Sequence, residues 1–398
     1  MPAWKLTHDV GDLVITGAQM GLAYTINSTV GANTALMGVG WSNNEGIQPG
    51  GNYYPNFMEA LVGSHAIASR LYSLYLNRLE DFGSILFGGI DTSKFQGDLV
   101  TLNCLTDGGD PVDNFYLVLN EVTVKTHNGP NRTLLQSTED QPWFILPDSG
   151  STAWQLPAAV YKQVIQIMGV NPTYKTRACS EITRGISNTT RLQLTFSGSG
   201  NNVATLNLEM ADLFTPLTNP DGSATTGNDG RPLCVLRIQP QGSDNILVVG
   251  DAVMKAGYWV FDLDNGQVSL AQAILGETSS NVVAVQAGPG GLSKAAKNIK
   301  PVESQGNSVF GYVKTSVDYA LSTAASTVGY ATGAQGTPRV SSAAASGAAG
   351  AASGSASARP SKSSGAAAVV HVPEFAIRFW CMSAALLTFW VAVGAMLV

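Results

Sequence analysis

Between Leu13 and about Ala273, short apolar or alternating runs are interrupted at close intervals by Gly, Asn, Asp and Pro, as in GSILFGGID, FYLVLNEVTV, TRLQLTFSG, NILVVGD and GYWVFDLDNGQVSLAQA. Runs of that length fit strands joined by tight turns better than a helical bundle. Only two stretches place apolar residues at helical spacing, YPNFMEALVGSHAI (54–67) and LPAAVYKQVIQIMGV (156–170). With 13% charged residues and 43 Gly, the composition suits an all-β, turn-rich chain. DLDNGQVSL is the plainest hairpin signal, and Asn265-Gly266 is predicted to supply both positive-φ positions of a type I′ turn.

After Ala273 the periodicity fades. Residues 276–368 become rich in Ala, Ser, Gly and Thr, culminating in VSSAAASGAAGAASGSASARPSKSSGAAA, with too little apolar content to offset the entropy of ordering. A disordered stalk is expected there, with Ser and Thr suited to O-glycosylation. The final stretch, FWCMSAALLTFWVAVGAMLV, is uncharged and, at about 20 residues, long enough to cross a bilayer. Small residues at Ser364-Gly365-Ala366, then a spacer and this tail, have the layout of a GPI-attachment signal with Ser364 as the lipid acceptor. The other reading of residues 369–398 is a retained membrane helix.

The net charge is −6, and acidic residues outnumber basic ones up to about residue 285. That balance argues against a nucleic-acid partner. Four cysteines, N-x-[ST] acceptors at Asn27, Asn131 and Asn188, and the apolar C-terminus point to the secretory route and the cell surface. Cys179 and Cys234 could close a disulfide loop or remain two buried thiols; Cys104 has no evident partner. The opening MPAWKLTHDVGDLVITG contains no signal-peptide h-region. His8, His65, His127 and His371 have no paired spacing, so neither a metal nor an organic cofactor is expected.

The chemistry is concentrated in FILPDSGSTAWQLP (144–157): an apolar strand, Asp148-Ser149-Gly150, a Ser151-Thr152 hydroxyl pair, then a Leu-Pro entry into a helix. Together with ALMGVGW (35–41), GSILFGGIDTSKFQGDL (83–99), FYLVLNEVTV (115–124) and NILVVGDAVMKAGYWVFDLDNGQVSLAQA (245–273), it resembles the pepsin-like aspartic endopeptidases of the fungal, membrane-tethered (yapsin-like) kind. The five motifs stand in that family's order. The resemblance implies an all-β, bilobal fold, with a partial N-terminal lobe over 1–110 and a complete C-terminal lobe over 111–275. It also implies a disulfide between Cys179 and Cys234, a polypeptide substrate cleaved at acidic pH, and a monomer.

By the same resemblance Asp148 is one of two catalytic carboxylates. Two carboxylates facing one water share a proton, because like charges so close raise one pKa; one member then activates water while the other polarises the scissile carbonyl. Gly150 would let the backbone approach the partner loop, Ser149 would join a grip between lobes, Ser151 would hydrogen-bond the carboxylate and Thr152 would hold substrate backbone. Gly38 and Gly250 would pack against the two Asp loops.

The second Asp-[Ser/Thr]-Gly and the family's flap tyrosine are not found. Asp91-Thr92-Ser93 replaces the glycine and sits where relatives have a structural turn, and neither Tyr24 nor Tyr53 has glycine-rich surroundings. The expectation is that Met1 is an internal start, and that this chain, with half of the carboxylate pair, is inactive alone. The alternative is a non-catalytic, membrane-tethered surface protein that uses the lobe as a binding or structural module.

Overall fold

The computed structural model describes residues 3–10, 13–21, 37–42, 54–78, 81–105, 112–126, 130–138, 141–185, 190–197, 202–219, 221–241, 246–301 and three short strands between 378 and 391. The hairpin β1 (Ala3–Val10) and β2 (Leu13–Gly21) is followed by α1 (Phe57–Gly63), β3 (Leu71–Tyr75), β4 (Ser84–Phe87), β5 (Gly89–Asp91) and β6 (Phe95–Asn103). Next come β7 (Leu117–Thr126), β8 (Arg132–Gln136), β9 (Phe144–Pro147), β10 (Trp154–Leu156), α2 (Ala158–Met168), β11 (Thr176–Ala178) and α3 (Cys179–Gly185). The series continues with β12 (Thr190–Ser197), β13 (Val203–Glu209), β14 (Phe214–Pro216), β15 (Leu233–Leu236), β16 (Ile238–Pro240) and β17 (Ile246–Val249). It closes with α4 (Asp251–Met254), β18 (Gly257–Asp262), β19 (Gln267–Ala273), β20 (Val282–Ala284), α5 (Gly291–Ala295), β21 (Ile299–Lys300) and, in the tail, Arg378–Cys381, Ala385–Thr388 and Trp390–Val391.

Both helices expected from spacing are present. In α1 the Asn56 side chain accepts the Glu59 N–H (3.1 Å) while the Glu59 carboxylate accepts the Asn56 N–H (3.2 Å), a reciprocal cap that satisfies two otherwise orphaned donors. Helix α2 buries Val160, Val164, Ile165 and Met168, the one-face spacing of its sequence, and ends at Gly169 in the left-handed region.

Two sheets carry the fold. In one, neighbours run β13-β12-β7-β9-β17-β10-β16, with β8 also paired to β7. Here β17 lies between β9, to which it is parallel, and β10, to which it is antiparallel at Trp154 and Val249. The other has β21, β6, β19, β18, β3 and β4 as successive neighbours. It therefore interleaves strands from before residue 110 with strands from after residue 255, and its two faces serve two cores. Tyr72, Leu74, Trp259 and Phe261 belong to the large core shared with the first sheet, whereas Leu71, Tyr75, Tyr258 and Val260 belong to a smaller one behind. Adjacent residues alternate between the faces as strand geometry requires. Large side chains such as Trp154, Trp259 and Phe196 are fully buried, each contributing about 1.5–3 kcal/mol relative to exposure.

The Cys179–Cys234 disulfide is formed, joining the start of α3 to β15, and Cys104 is a buried free thiol. Two expectations need correction. The hairpin between β18 and β19 is not a two-residue type I′ turn: Asp262 pairs with Gln267, leaving a four-residue connection in which Gly266 has positive φ and Asn265 does not. The cause is local, because the Asp262 carboxylate accepts both the backbone N–H (3.0 Å) and the Nδ2–H (2.7 Å) of Asn265. The ordered body also extends beyond residue 275: β20, α5 and β21 pack on the smaller core through Val285, Leu292 and Ile299. Sparse apolar residues suffice there because they land on an already formed sheet. The described part of the tail consists of short strands, and among the described residues no helix is long and apolar enough to cross a membrane. Asn27, Asn188, Ser364, Tyr24 and Tyr53 lie outside the described residues.

Candidate active site

The apolar strand β9 ends at Pro147, and Asp148 is the first residue beyond it, half-buried. Its backbone N–H donates to the Val249 carbonyl (3.0 Å), extending the parallel β9–β17 pairing by one step. Its Oδ1 accepts the Gly150 N–H (2.8 Å), and its carbonyl accepts the Ser151 N–H (3.1 Å), so the Asp-Ser-Gly turn holds its own carboxylate. Ser149 and Gly150 are exposed, and Ser151 and Thr152 are half-buried.

The end of β17 cradles this turn. Gly250 N–H donates to Ala153 O (3.2 Å), Asp251 N–H to Ser151 O (2.8 Å) and Ala252 N–H to Thr152 O (3.4 Å). A β-carbon on Gly250 would stand 2.4 Å from the Ser151 carbonyl oxygen and 2.6 Å from that of Ala153, so only glycine admits the approach. Gly250 thus packs against the Asp148 loop as its motif implied. At Gly38 an added β-carbon would meet nothing within 4 Å among the described residues. The Ser151 hydroxyl donates to Ala153 O (3.4 Å) rather than to the carboxylate, a departure from the role the resemblance gave it.

Tyr72, a residue no motif singled out, lies within electrostatic reach of Asp148. Its ring stacks on Phe261 (centroids 4.8 Å apart) and meets Phe115 edge-on, and burial pushes its phenol well above the ordinary range, with the Asp148 and Cys104 charges acting the same way. Strand alternation in LYSLY was the available signal, since it puts Tyr72 on the face of Leu74. Burial likewise raises the Cys104 thiol, first by desolvation and then through Asp262, which makes it a poor nucleophile.

Asp91 has a different task. It accepts the Ser93 N–H (3.0 Å) of its own turn and, from the segment behind the sheet, the Asn281 N–H (2.8 Å) and the Ser280 hydroxyl (2.7 Å). Asn131 is exposed immediately before β8. Among the described residues no cluster of His, Cys, Asp and Glu could hold a metal ion.

A carboxylate presented on a rigid turn at the end of a parallel strand pair, on a bilobal β-scaffold, defines a pepsin-like aspartic proteinase architecture. The family model for eukaryotic aspartyl protease matches residues 5–273, and the chain belongs to that family. It is 32% identical over 296 residues to the probable aspartic-type endopeptidase OPSB of Arthroderma benhamiae, covering 72% of this chain and 56% of that protein. It is 30% identical over 288 residues to aspartic proteinase yapsin-3 of Saccharomyces cerevisiae, covering 69% and 52% respectively. The crystal structure of aspartic proteinase from Irpex lacteus shares the fold, with a TM-score of 0.52 at 17% identity, over 70% of this chain and 79% of that one. The chain spans about half the length of the curated relatives it matches.

Proposed function

We propose that this chain contributes Asp148 to an aspartic endopeptidase that hydrolyses peptide bonds of proteins at acidic pH on the cell surface. The observation that carries the reading is the seating of the Asp148 turn on Val249, Gly250, Asp251 and Ala252, which fixes one carboxylate at the end of paired strands. With a second carboxylate opposite, one proton would be shared, so that acid and base come from the same pair. Gly150 orients the carboxylate, and Ser149, Ser151 and Thr152 border it on the exposed side. The sequence holds a single Asp-[Ser/Thr]-Gly triplet, so the chain by itself carries half of the pair and is inactive alone. Tethering through a lipid at Ser364, glycans at Asn27, Asn131 and Asn188, and a monomeric state complete the reading.

The test is digestion of a denatured protein at about pH 4 by the full-length gene product and by its Asp148→Asn variant. Loss of cleavage in the variant is the expected result; equal cleavage would remove Asp148 from the chemistry. If the full-length product lacks a second Asp-[Ser/Thr]-Gly and does not cleave, the surface-module reading takes its place.

A further inference from the structure

We propose that residues 274–301 form an interlobe clasp: a segment continuous with the last strand of the C-terminal lobe that fastens the N-terminal strands in register, on the face of the shared sheet opposite Asp148.

The partners of this segment carry the inference. Tyr75 hydroxyl donates to Ile274 O (2.7 Å), and Asn77 Oδ1 accepts the Gly276 N–H (2.7 Å). Lys94, itself buried, donates through Nζ to the carbonyls of Glu277 (2.9 Å) and Ser279 (2.8 Å). Asp91 receives Ser280 and Asn281, and Thr92 Oγ1 accepts the Asn281 Nδ2–H (2.6 Å). β20 then runs antiparallel to β5, the Leu99 N–H donates to Asn298 O (2.9 Å), and β21 runs parallel to β6. All of these partners lie between residues 75 and 100, although the segment itself grows out of β19. At its end the segment also touches the other lobe, where Asn202 Nδ2 donates to the Pro301 carbonyl (2.7 Å), but the bonds from Ile274 to Asn281 go to the N-terminal strands.

Burial agrees with the bonding. Val285, Leu292 and Ile299 cap the smaller core, which is otherwise built from β3, β5, β6, β18 and β19. Gly291 is where the segment turns back on itself, since a β-carbon there would stand 1.9 Å from the Gln286 carbonyl oxygen. Because Tyr72 and Leu71 sit side by side on opposite faces of β3, the clasp restrains from behind the same strands that support the Asp148 side. It acts as a fixed hinge plate: with it in place, the N-terminal strands cannot shift relative to β18 and β19 without breaking bonds to charged and buried partners.

The test uses the full chain. Limited proteolysis should leave 276–300 attached and intact; early cleavage within 276–300 would overturn the clasp. Amide exchange provides the second measurement. In Asp91→Ala, exchange should quicken by about tenfold or more in 277–285 and at Leu99, where local opening controls the rate, and stay unchanged in β12 and β13. Acceleration confined to 91–93, or no greater than that of Asp229→Ala in an exposed loop, would overturn it.

Discussion

Gly250 lies so near Ser151 that an added β-carbon would stand 2.4 Å from the Ser151 carbonyl oxygen. That approach lets three successive N–H groups, from Gly250 to Ala252, bind the carbonyls of the Asp148 loop. Neither contacting atom is the yielding tip of a side chain. Gly250→Ala is therefore expected to cost about 1–3 kcal/mol as an overpacked site. Urea melts of the two proteins would measure it, and in the full-length protein activity should fall along with stability.

Asp148→Asn should separate chemistry from folding. Asparagine keeps an Oδ1 acceptor for the Gly150 N–H, so the free energy of unfolding should change by less than about 1 kcal/mol while cleavage by the full-length protein is lost. Asp148→Ala removes that acceptor and should lower stability as well. Equal midpoints for the two variants would show that the bond contributes nothing.

Asn56 ties α1 to the stretch before it: it caps α1, its N–H donates to the Glu59 side chain, and its Nδ2 donates to Gly40 O (2.7 Å). Asn56→Ala is expected to cost about 1–2 kcal/mol, the upper part of the range for a lost cap, because the half-buried Gly40 carbonyl loses its donor too. Asn56→Ser, which can still cap, should recover part of it in a thermal melt.

Reduction of Cys179–Cys234 releases a loop of separation 55. For a loop of this size the unfolded chain regains enough freedom to lower stability by about 2–5 kcal/mol. Denaturation with and without reductant, or with the double Cys→Ala variant, reads the difference directly.

Asp262 supplies the pH prediction. Burial, the largest influence, raises its pKa above the ordinary carboxylate value, against hydrogen bonds from Asn265 that act the other way. The folded state then binds its proton more readily than the unfolded state. Its ionisation costs stability as pH rises through the raised value, and the cost is absent below the unfolded value. Asp262→Asn should accordingly look more favourable, relative to wild type, at about pH 7 than at about pH 4. Identical differences at both pH values would contradict the sign.

Much of this was readable in advance for definite reasons. The strand-turn rhythm and the 3.6-residue spacing in α1 and α2 are local signals, and the Asp148 and Gly250 stretches announce themselves as motifs. What escaped depends on distant partners. The turn at Asn265 was misassigned because Asp262 reaches forward to hold it, and the segment after Ala273 looked structureless because its bonds go to Asp91, Lys94 and Asn77. Ser151 was assigned a bond to the carboxylate but gives its proton to Ala153 O. Tyr72 carried no motif, since only the folded sheet brings it within electrostatic reach of Asp148.

The sheet shared by the two lobes also governs how the molecule is made. Tyr258 hydroxyl donates to Ser73 Oγ (2.8 Å), although the two residues are 185 positions apart in sequence. The central strands must await the synthesis of β18 and β19 before they gain their neighbours, and long-range pairing of this kind slows folding. Until then β3 and β6 present open edges to other nascent chains, which makes the interval before closure the time when this protein is most prone to aggregate.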